Sequence, residues 1–320
     1  MNDARTALVV GANGGIGGEM VAALRRHGWQ VKALARKPPA QTAAAGANPV
    51  TWVAGDAMQA ADVLRAAAGC SVIVHAVNPP GYRDWDKLVL PMLENSIAAA
   101  RAAGARVVLP GTIYNYGEDA FPLLKESSPQ HAMTRKGRIR VRMEQRLREA
   151  ANEGVRSLVV RAGDFFGPRA GNNWFGGGLL GGKSRVKAIT YPGQPGLGHA
   201  WAYLPDVAET MARLLDHEEQ LQPFDTFHFA GHWDADGTRM VEAIRQAAGK
   251  PRLPVRGFPW LLLPLLAPFS TLLREMKEMR YLWRQPLRLD NSRLVALLGA
   301  EPHTPLDRAV RSALNGVTLG

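Results

Sequence analysis

Cysteine is almost missing from this chain: Cys70 is the only one in 320 residues. No intramolecular disulfide can form and no cysteine cage can hold a metal. Acid is the second shortage, with 28 Asp and Glu against 39 Lys and Arg, a net charge of +11. That excess admits anionic partners but does not choose among nucleotide, nucleic acid and membrane surface. Long apolar runs are missing too. The greasiest segment, residues 258–269, is too short to span a bilayer and is broken by Pro259, Pro264 and Pro268. It is expected to be a buried lobe or a wall of a substrate pocket, with peripheral membrane contact as the alternative. The first residues carry Asp3 and Arg5 and run straight into glycines, so no signal peptide and a cytoplasmic location are expected. What remains is an ordinary globular composition, with chain enough for two domains or one large α/β unit with an appended lobe.

The first 165 residues alternate between two periods. Short apolar runs at 7–10, 29–35, 50–54, 71–75, 106–109 and 155–160 read as strands. Between them, helical spacing appears at 16–27, through Val63 and Leu64, at 88–103 and at 135–152. Strand–helix repetition with short links predicts a doubly wound parallel sheet, a Rossmann-like α/β fold. After Phe166 the rhythm breaks. Residues 167–198 are rich in Gly, Pro and Asn and read as loops and short strands. A helix at 205–216 and a seventh strand at 226–229 follow, and 238–320 is helical but interrupted by prolines. The expected organisation is a dinucleotide-binding domain over 1–166, completed by 200–230. A substrate-binding lobe of 167–199 and 231–320 would lie over the C-terminal edge of the sheet, where open α/β sheets bind ligands.

Gly11-Ala-Asn13-Gly14-Gly15-Ile16-Gly17 follows the first strand and opens the first helix. Glycines there let the chain turn tightly and bring backbone N–H groups against a pyrophosphate, and the helix N-terminus adds partial positive charge. The order strand, loop, helix is the context this motif needs. Arg36, followed by Lys37, ends the second strand. A carboxylate there would bind the ribose of NAD; arginine suits the 2′-phosphate of NADP. The expected cofactor is therefore NADP, with NAD as second choice. Asp56 ends the third strand, where it would accept from the adenine amino group or cap a helix. Ala76, Val77 and Asn78 end the fourth strand, where backbone would line the nicotinamide ribose.

These residues resemble the short-chain dehydrogenase/reductase superfamily, in its extended epimerase/dehydratase branch. Leu109-Pro-Gly-Thr112-Ile-Tyr-Asn-Tyr116-Gly117 resembles the stretch that carries the catalytic Ser/Thr, with Thr112 at that position. Arg161-Ala-Gly-Asp-Phe-Phe-Gly167-Pro168 and Trp201-Ala-Tyr-Leu-Pro-Asp206 resemble later motifs, the second of which closes the substrate site. The family's Tyr-x-x-x-Lys pair is absent. Lys136 stands where the tyrosine belongs and Arg140 where the lysine belongs. The resemblance thus implies an atypical member, an NADP(H)-binding oxidoreductase or epimerase/dehydratase-like enzyme. Its expected catalytic residues are Thr112, Tyr116, Lys136 and Arg140; its expected substrate contacts are Asp164, Phe165, Trp174, Lys183 and Tyr203. Arg140 can hold a ribose but cannot lose a proton. Lys136, beside that like charge, would have a lowered pKa. Tyr114, Tyr116, His131, Asp164 and Tyr203 stand as alternative proton donors. A non-catalytic NADP(H) redox sensor that binds a protein partner is the competing reading.

Three patterns are set aside. Gly177-x-x-x-x-Gly182-Lys183-Ser184 matches a phosphate loop but lacks the strand before it and the helix after it. His228 and His232 flank a strand end, so their spacing does not point to zinc. The basic stripe Arg138, Arg142 and Arg146 has no interleaved aromatics. It is expected to be a solvated helix face partly paired with Glu144 and Glu149, not a nucleic-acid surface. The expected partner is a small-molecule substrate, with a homodimer as a further expectation.

Overall fold

The alternating segments at the start of the chain form one parallel sheet. The computed structural model describes residues 5–39, 49–79, 84–169, 173–181, 185–261, 263–266, 271–315 and 318–319. Its strands are β1 (Thr6–Val10), β2 (Gln30–Ala35), β3 (Thr51–Ala54), β4 (Val72–His75), β5 (Arg106–Thr112), β6 (Ser157–Ala162), β7 (Asp164–Phe166), β8 (His199–Tyr203), β9 (Phe224–Phe229) and β10 (His232–Asp234). The helices that flank them are α1 (Gly15–Arg26), α2 (Ala60–Ala67), α3 (Trp85–Ala103), α4 (Arg135–Asn152), α5 (Leu204–Asp216) and α6 (Arg239–Ala247). Seven strands form the central sheet in the order β9–β6–β5–β4–β1–β2–β3, every pair parallel. The order reverses between β1 and β4, and the crevice at that switch point, beyond the carboxyl ends of the strands, is where such sheets take ligands.

Both faces are buried, as the near-continuous apolar strands require. Ala7 and Val9 of β1 point into one core with Met20 and Leu24 of α1 and Val207 and Met211 of α5. Leu8 and Val10 point into the other, with Val63, Leu93, Ile97, Ile139, Met143 and Leu147. The one-residue alternation of a strand sends neighbours to opposite faces. Helix α4 is built on the same logic: Thr134 caps it by accepting from the Gly137 N–H at 3.0 Å, and its apolar positions recur at helical spacing.

The second half departs from the sequence reading. After Gly163, β7 leaves the main sheet and pairs in parallel with β8, which pairs antiparallel with β10. These strands are three to five residues long, too short for periodicity to reveal. Gly163 makes the close approach possible, because a Cβ there would lie 2.3 Å from the Ala200 carbonyl oxygen. Trp174–Leu179, expected to be loop, is a wide helical turn begun by Asn173, whose side chain accepts from the Gly176 N–H. Around this unit Tyr191, Trp201 and Trp283 form an aromatic core. The greasy run 258–269 is partly outside the described residues; its Leu263 is buried, whereas Leu261 and Leu265 are exposed.

The basic stripe of α4 differs from expectation in both partners. Arg146 pairs with Glu94 and Glu153 at 2.8 and 3.3 Å. Glu144 is not on that face; it is buried and bonded to Arg161. Its position on α4 is inward, next to Met143 in the apolar stripe. Glu149 accepts from Gln145 instead. Among the described residues no helix is long and apolar enough to cross a membrane.

Candidate dinucleotide and active site

One open cavity of about 1150 Å³ runs along the carboxyl edge of the sheet. It exceeds the roughly 300–1,000 Å³ of a site for one drug-sized ligand. Its floor is the glycine loop. Gly11 has φ +92°, a left-handed conformation, and a Cβ there would meet Val77 N at 2.6 Å. Gly17, in the first turn of α1, is packed so closely that a Cβ would lie 2.1 Å from the Gly11 oxygen. Gly14 caps α1 without a side chain, so the first-turn N–H groups have no side-chain acceptor from the cap. Such a terminus favours an anion. Gly11, Asn13, Gly14, Gly15 and Ile16 line the cavity directly. Gly17 supports the loop from behind.

At one end lie Arg36, Lys37 and Asp56. Both cations are exposed at the rim, after Leu34 and Ala35 have entered the core. Asp56 does not cap α2, which starts at Ala60; its carboxylate accepts from Met58 N at 3.0 Å. The middle is formed by His75, Ala76, Val77 and Asn78, with Trp85 and Arg140 opposite. Asn78 accepts from the Trp85 indole N–H at 2.7 Å, and the Arg140 guanidinium lies 5.2 Å from that ring and donates to Pro110 O. The Ser96 hydroxyl donates to Met92 O, so it accepts from His75 Nδ1–H at 2.8 Å. His75 Nε2 is thereby left as an acceptor. Burial, with the nearby Arg140 charge, pushes the His75 pKa down to about 3.

The other end gathers Thr112, Tyr114, Lys136, Asp164, Phe165 and Trp174, with Leu204, Met276 and Met279 around them. Thr112 ends β5 and accepts from the Tyr114 N–H at 3.3 Å. Lys136 sits on the first turn of α4, only 5% exposed. Asp164 is buried, with Oδ2 2.8 Å from His199 Nε2 and Oδ1 3.5 Å from the Tyr114 hydroxyl.

Two expected residues are elsewhere. Tyr116 is fully buried in the core of the second lobe, where its hydroxyl accepts from Arg161 at 2.7 Å and meets His228 Nε2 at 2.8 Å. Burial raises its phenol pKa far above the ordinary value. It is not a wall of the cavity, because the tight turn at 113–115 sends it inward. Tyr203 is buried against Phe166, ring centroids 5.3 Å apart, and also does not line the cavity. Lys183 lies outside the described residues. Of the alternative donors, His131 is exposed and paired with Asp119 at 2.8 Å, away from the cavity. His199 was not foreseen: it stands on a five-residue strand and reaches the site only through Asp164. Trp85, Met276 and Met279 were also missed, since nothing in their local pattern distinguishes them from core residues.

Residues 11–168 match the NAD(P)H-binding family. A 3-diazoavenalumate denitrifying reductase from a Streptomyces species is 32% identical over 188 residues, 54% of this chain and 60% of that protein. The chain therefore spans less than two thirds of the curated relative it matches. Among solved structures, UDP-glucose 4-epimerase from Bifidobacterium longum with NAD+ and UDP aligns at TM-score 0.73, covering 97% of each chain at 17% identity. The dTDP-glucose 4,6-dehydratase from Streptomyces venezuelae, also with NAD bound, aligns at 0.73, covering 97% of this chain and 96% of that one at 18% identity.

Just under half of the chain is thus matched by an NAD(P)H-binding family. Over about 97% of its length the chain has the fold of those epimerases and dehydratases, and residues 11–168 are of the kind that takes a nicotinamide dinucleotide. Lys136 and Arg140, four residues apart on α4, both line the cavity.

Proposed function

We propose that this dehydrogenase-fold protein is an NADP(H)-dependent reductase acting on a small, largely apolar electrophile. The observation that carries the reading is the continuity of one cavity from the glycine loop and Arg36 to Thr112, Lys136 and Trp174. Reduced nicotinamide supplies a hydride when bound. The chain's own residues bind and orient. The first-turn N–H groups of α1 face the pyrophosphate, Arg36 and Lys37 pair with the 2′-phosphate, and Asp56 accepts from the adenine amino group. Ala76 to Asn78 and Arg140 flank the nicotinamide ribose, with His75 Nε2 as a further acceptor. Thr112 and Lys136 stand where negative charge develops on the substrate.

Two features favour a reductase over a sugar-nucleotide enzyme. The relative that shares 32% identity is named a reductase of a diazo compound. At the substrate end, among the described lining residues, Lys136 is the cation, and Phe165, Trp174, Met276 and Met279 supply apolar surface. A diphosphate would face that apolar wall and the Asp164 carboxylate. A planar apolar substrate fits it.

The test is NADPH oxidation with a panel of quinones, aldehydes, diazo compounds and sugar nucleotides. Turnover is expected with the apolar members and not with the sugar nucleotides. Lys136→Met is expected to lower turnover about 100-fold, the scale of one electrostatic contact to a developing charge, with NADPH affinity retained. Tight NADPH binding with no turnover across the panel would replace this reading by the redox sensor.

A further inference from the structure

We propose that Tyr114 is the catalytic acid–base residue, held in position by the buried Asp164–His199 pair. The proposal rests on the reductase reading. A carbonyl reduction needs a proton as well as a hydride, and the helical position that carries the family's tyrosine holds Lys136. Tyr116 and Tyr203 are turned into the core. Tyr114 is the only phenol among the described residues that line the cavity.

Its placement is fixed on three sides. Its N–H is bound by the Thr112 hydroxyl oxygen at 3.3 Å. The first turn of α4 presses on its carbonyl: a Cβ at Gly137 would lie 2.2 Å from the Tyr114 oxygen, so the glycine next to Lys136 lets helix and turn meet. Its hydroxyl points to Asp164 Oδ1 at 3.5 Å. Asp164 is only 4% exposed, and its other oxygen is bonded to His199 Nε2 at 2.8 Å. The His199 ring lies flat on Trp283, centroids 3.7 Å apart at 10°, which locks the imidazole. A carboxylate held by one fixed imidazole and one phenol is a positioning device. The bond to the phenol is long, and acid–base groups with such loose contacts tighten onto the substrate when it arrives.

The step balances without any group beyond those named. Bound reduced nicotinamide would supply a hydride, with its electron pair, to form a C–H bond at the substrate carbonyl carbon. The C=O π pair moves to oxygen. The Tyr114 O–H bond breaks, its proton joins that oxygen, and the phenolate is reprotonated from solvent through the open cavity. The nicotinamide is oxidised and the carbonyl reduced. The charges facing Tyr114 are Lys136 and Arg140 from α4 and Asp164 with His199 from the small sheet; the phenols Tyr191 and Tyr281 also lie within reach of the Asp164 field. The cations favour the phenolate and Asp164 opposes it.

The experiment measures NADPH oxidation with phenanthrenequinone, a planar apolar dicarbonyl. Tyr114→Phe is expected to lower kcat about 10²–10⁴-fold, the usual worth of a general acid, with the dissociation constant for NADPH unchanged. Asp164→Asn keeps the shape and removes the charge; the alkaline limb of its kcat profile is expected to move to lower pH, which a merely structural residue would not do. Wild-type rates in Tyr114→Phe would overturn the proposal while leaving the reductase reading intact. An unmoved alkaline limb in Asp164→Asn would overturn the role of the pair. Wild-type protein that binds NADPH but does not turn over the quinone would overturn both readings.

Discussion

Replacing Arg161 with methionine is expected to destabilise the protein by about 3–5 kcal/mol, the scale for leaving one member of a buried ion pair unpaired. Arg161 is 1% exposed and stands on β6 within the sheet. Its Nε and Nη2 donate to Glu144 at 3.1 and 2.6 Å, and its Nη1 donates to the Tyr116 hydroxyl at 2.7 Å. The pair ties α4 to β6, so it fixes the helix that carries Lys136 and Arg140. Desolvation opposes the pair, and its Coulomb attraction roughly offsets that cost. The large effect therefore comes from breaking it, because the Glu144 carboxylate would stay buried with Gln130 as its remaining partner. Removing both charges in Glu144→Leu/Arg161→Met is expected to recover most of the loss. Urea unfolding of the single and double variants measures the difference; additive losses would contradict the account.

Acidification is the second large effect. His75, His228 and His232 are buried, and burial is the main reason their pKa values fall to about 3, 3 and 4; the charges of Arg140, Arg161 and His303 add to it. Unfolded histidine titrates near 6.5. Between about pH 6.5 and 4 the unfolded chain therefore binds protons that the folded chain does not. Stability contributed by these neutral rings is present above pH 6.5 and is lost as pH falls through that window. Each contributes about 1.4 kcal/mol per pH unit. From pH 7 to 5.5 the loss is expected to be about 4 kcal/mol. Equilibrium unfolding at those two pH values checks it, and equal stability would show that the rings are protonated in the folded state. His228→Phe is not a clean control, because His228 also meets the Tyr116 hydroxyl.

The parts of the fold that could be read in advance are those with a repeating physical signal. The apolar runs of β1 to β6 and the spacing of α4 announce themselves because burial on both faces, or on one stripe, leaves a period. The glycine loop was legible because close approach excludes a Cβ at Gly11 and Gly17. The substrate end was only half legible. Thr112 and Asp164 line the cavity, but Tyr116 and Tyr203 do not. Around the tight turn 113–115 the residues part company: Ile113 and Tyr116 enter the same core, while Tyr114 faces the cavity. No local pattern states which of two tyrosines two residues apart will face outward. His199 was illegible for another reason. It reaches Asp164 only because β7 and β8 pair across a long sequence separation.

The positive charge also takes on a specific meaning. Arg135 and Arg146 of α4 are engaged with Asp86, Glu94 and Glu153, while Arg36 and Lys37 stand at the cavity rim with Lys136 and Arg140 further in. The excess is thus partly a folded network and partly a cavity-lining set. The most direct test of the account is a fluorescence titration of the wild-type protein and Arg36→Ala with NADPH and with NADH. A lost charged contact to the 2′-phosphate is worth about 1.5–3 kcal/mol, about 10- to 100-fold in affinity. The account predicts that wild type binds NADPH more tightly by about that factor and that Arg36→Ala removes the preference. Equal affinity of the wild type for the two cofactors would contradict it.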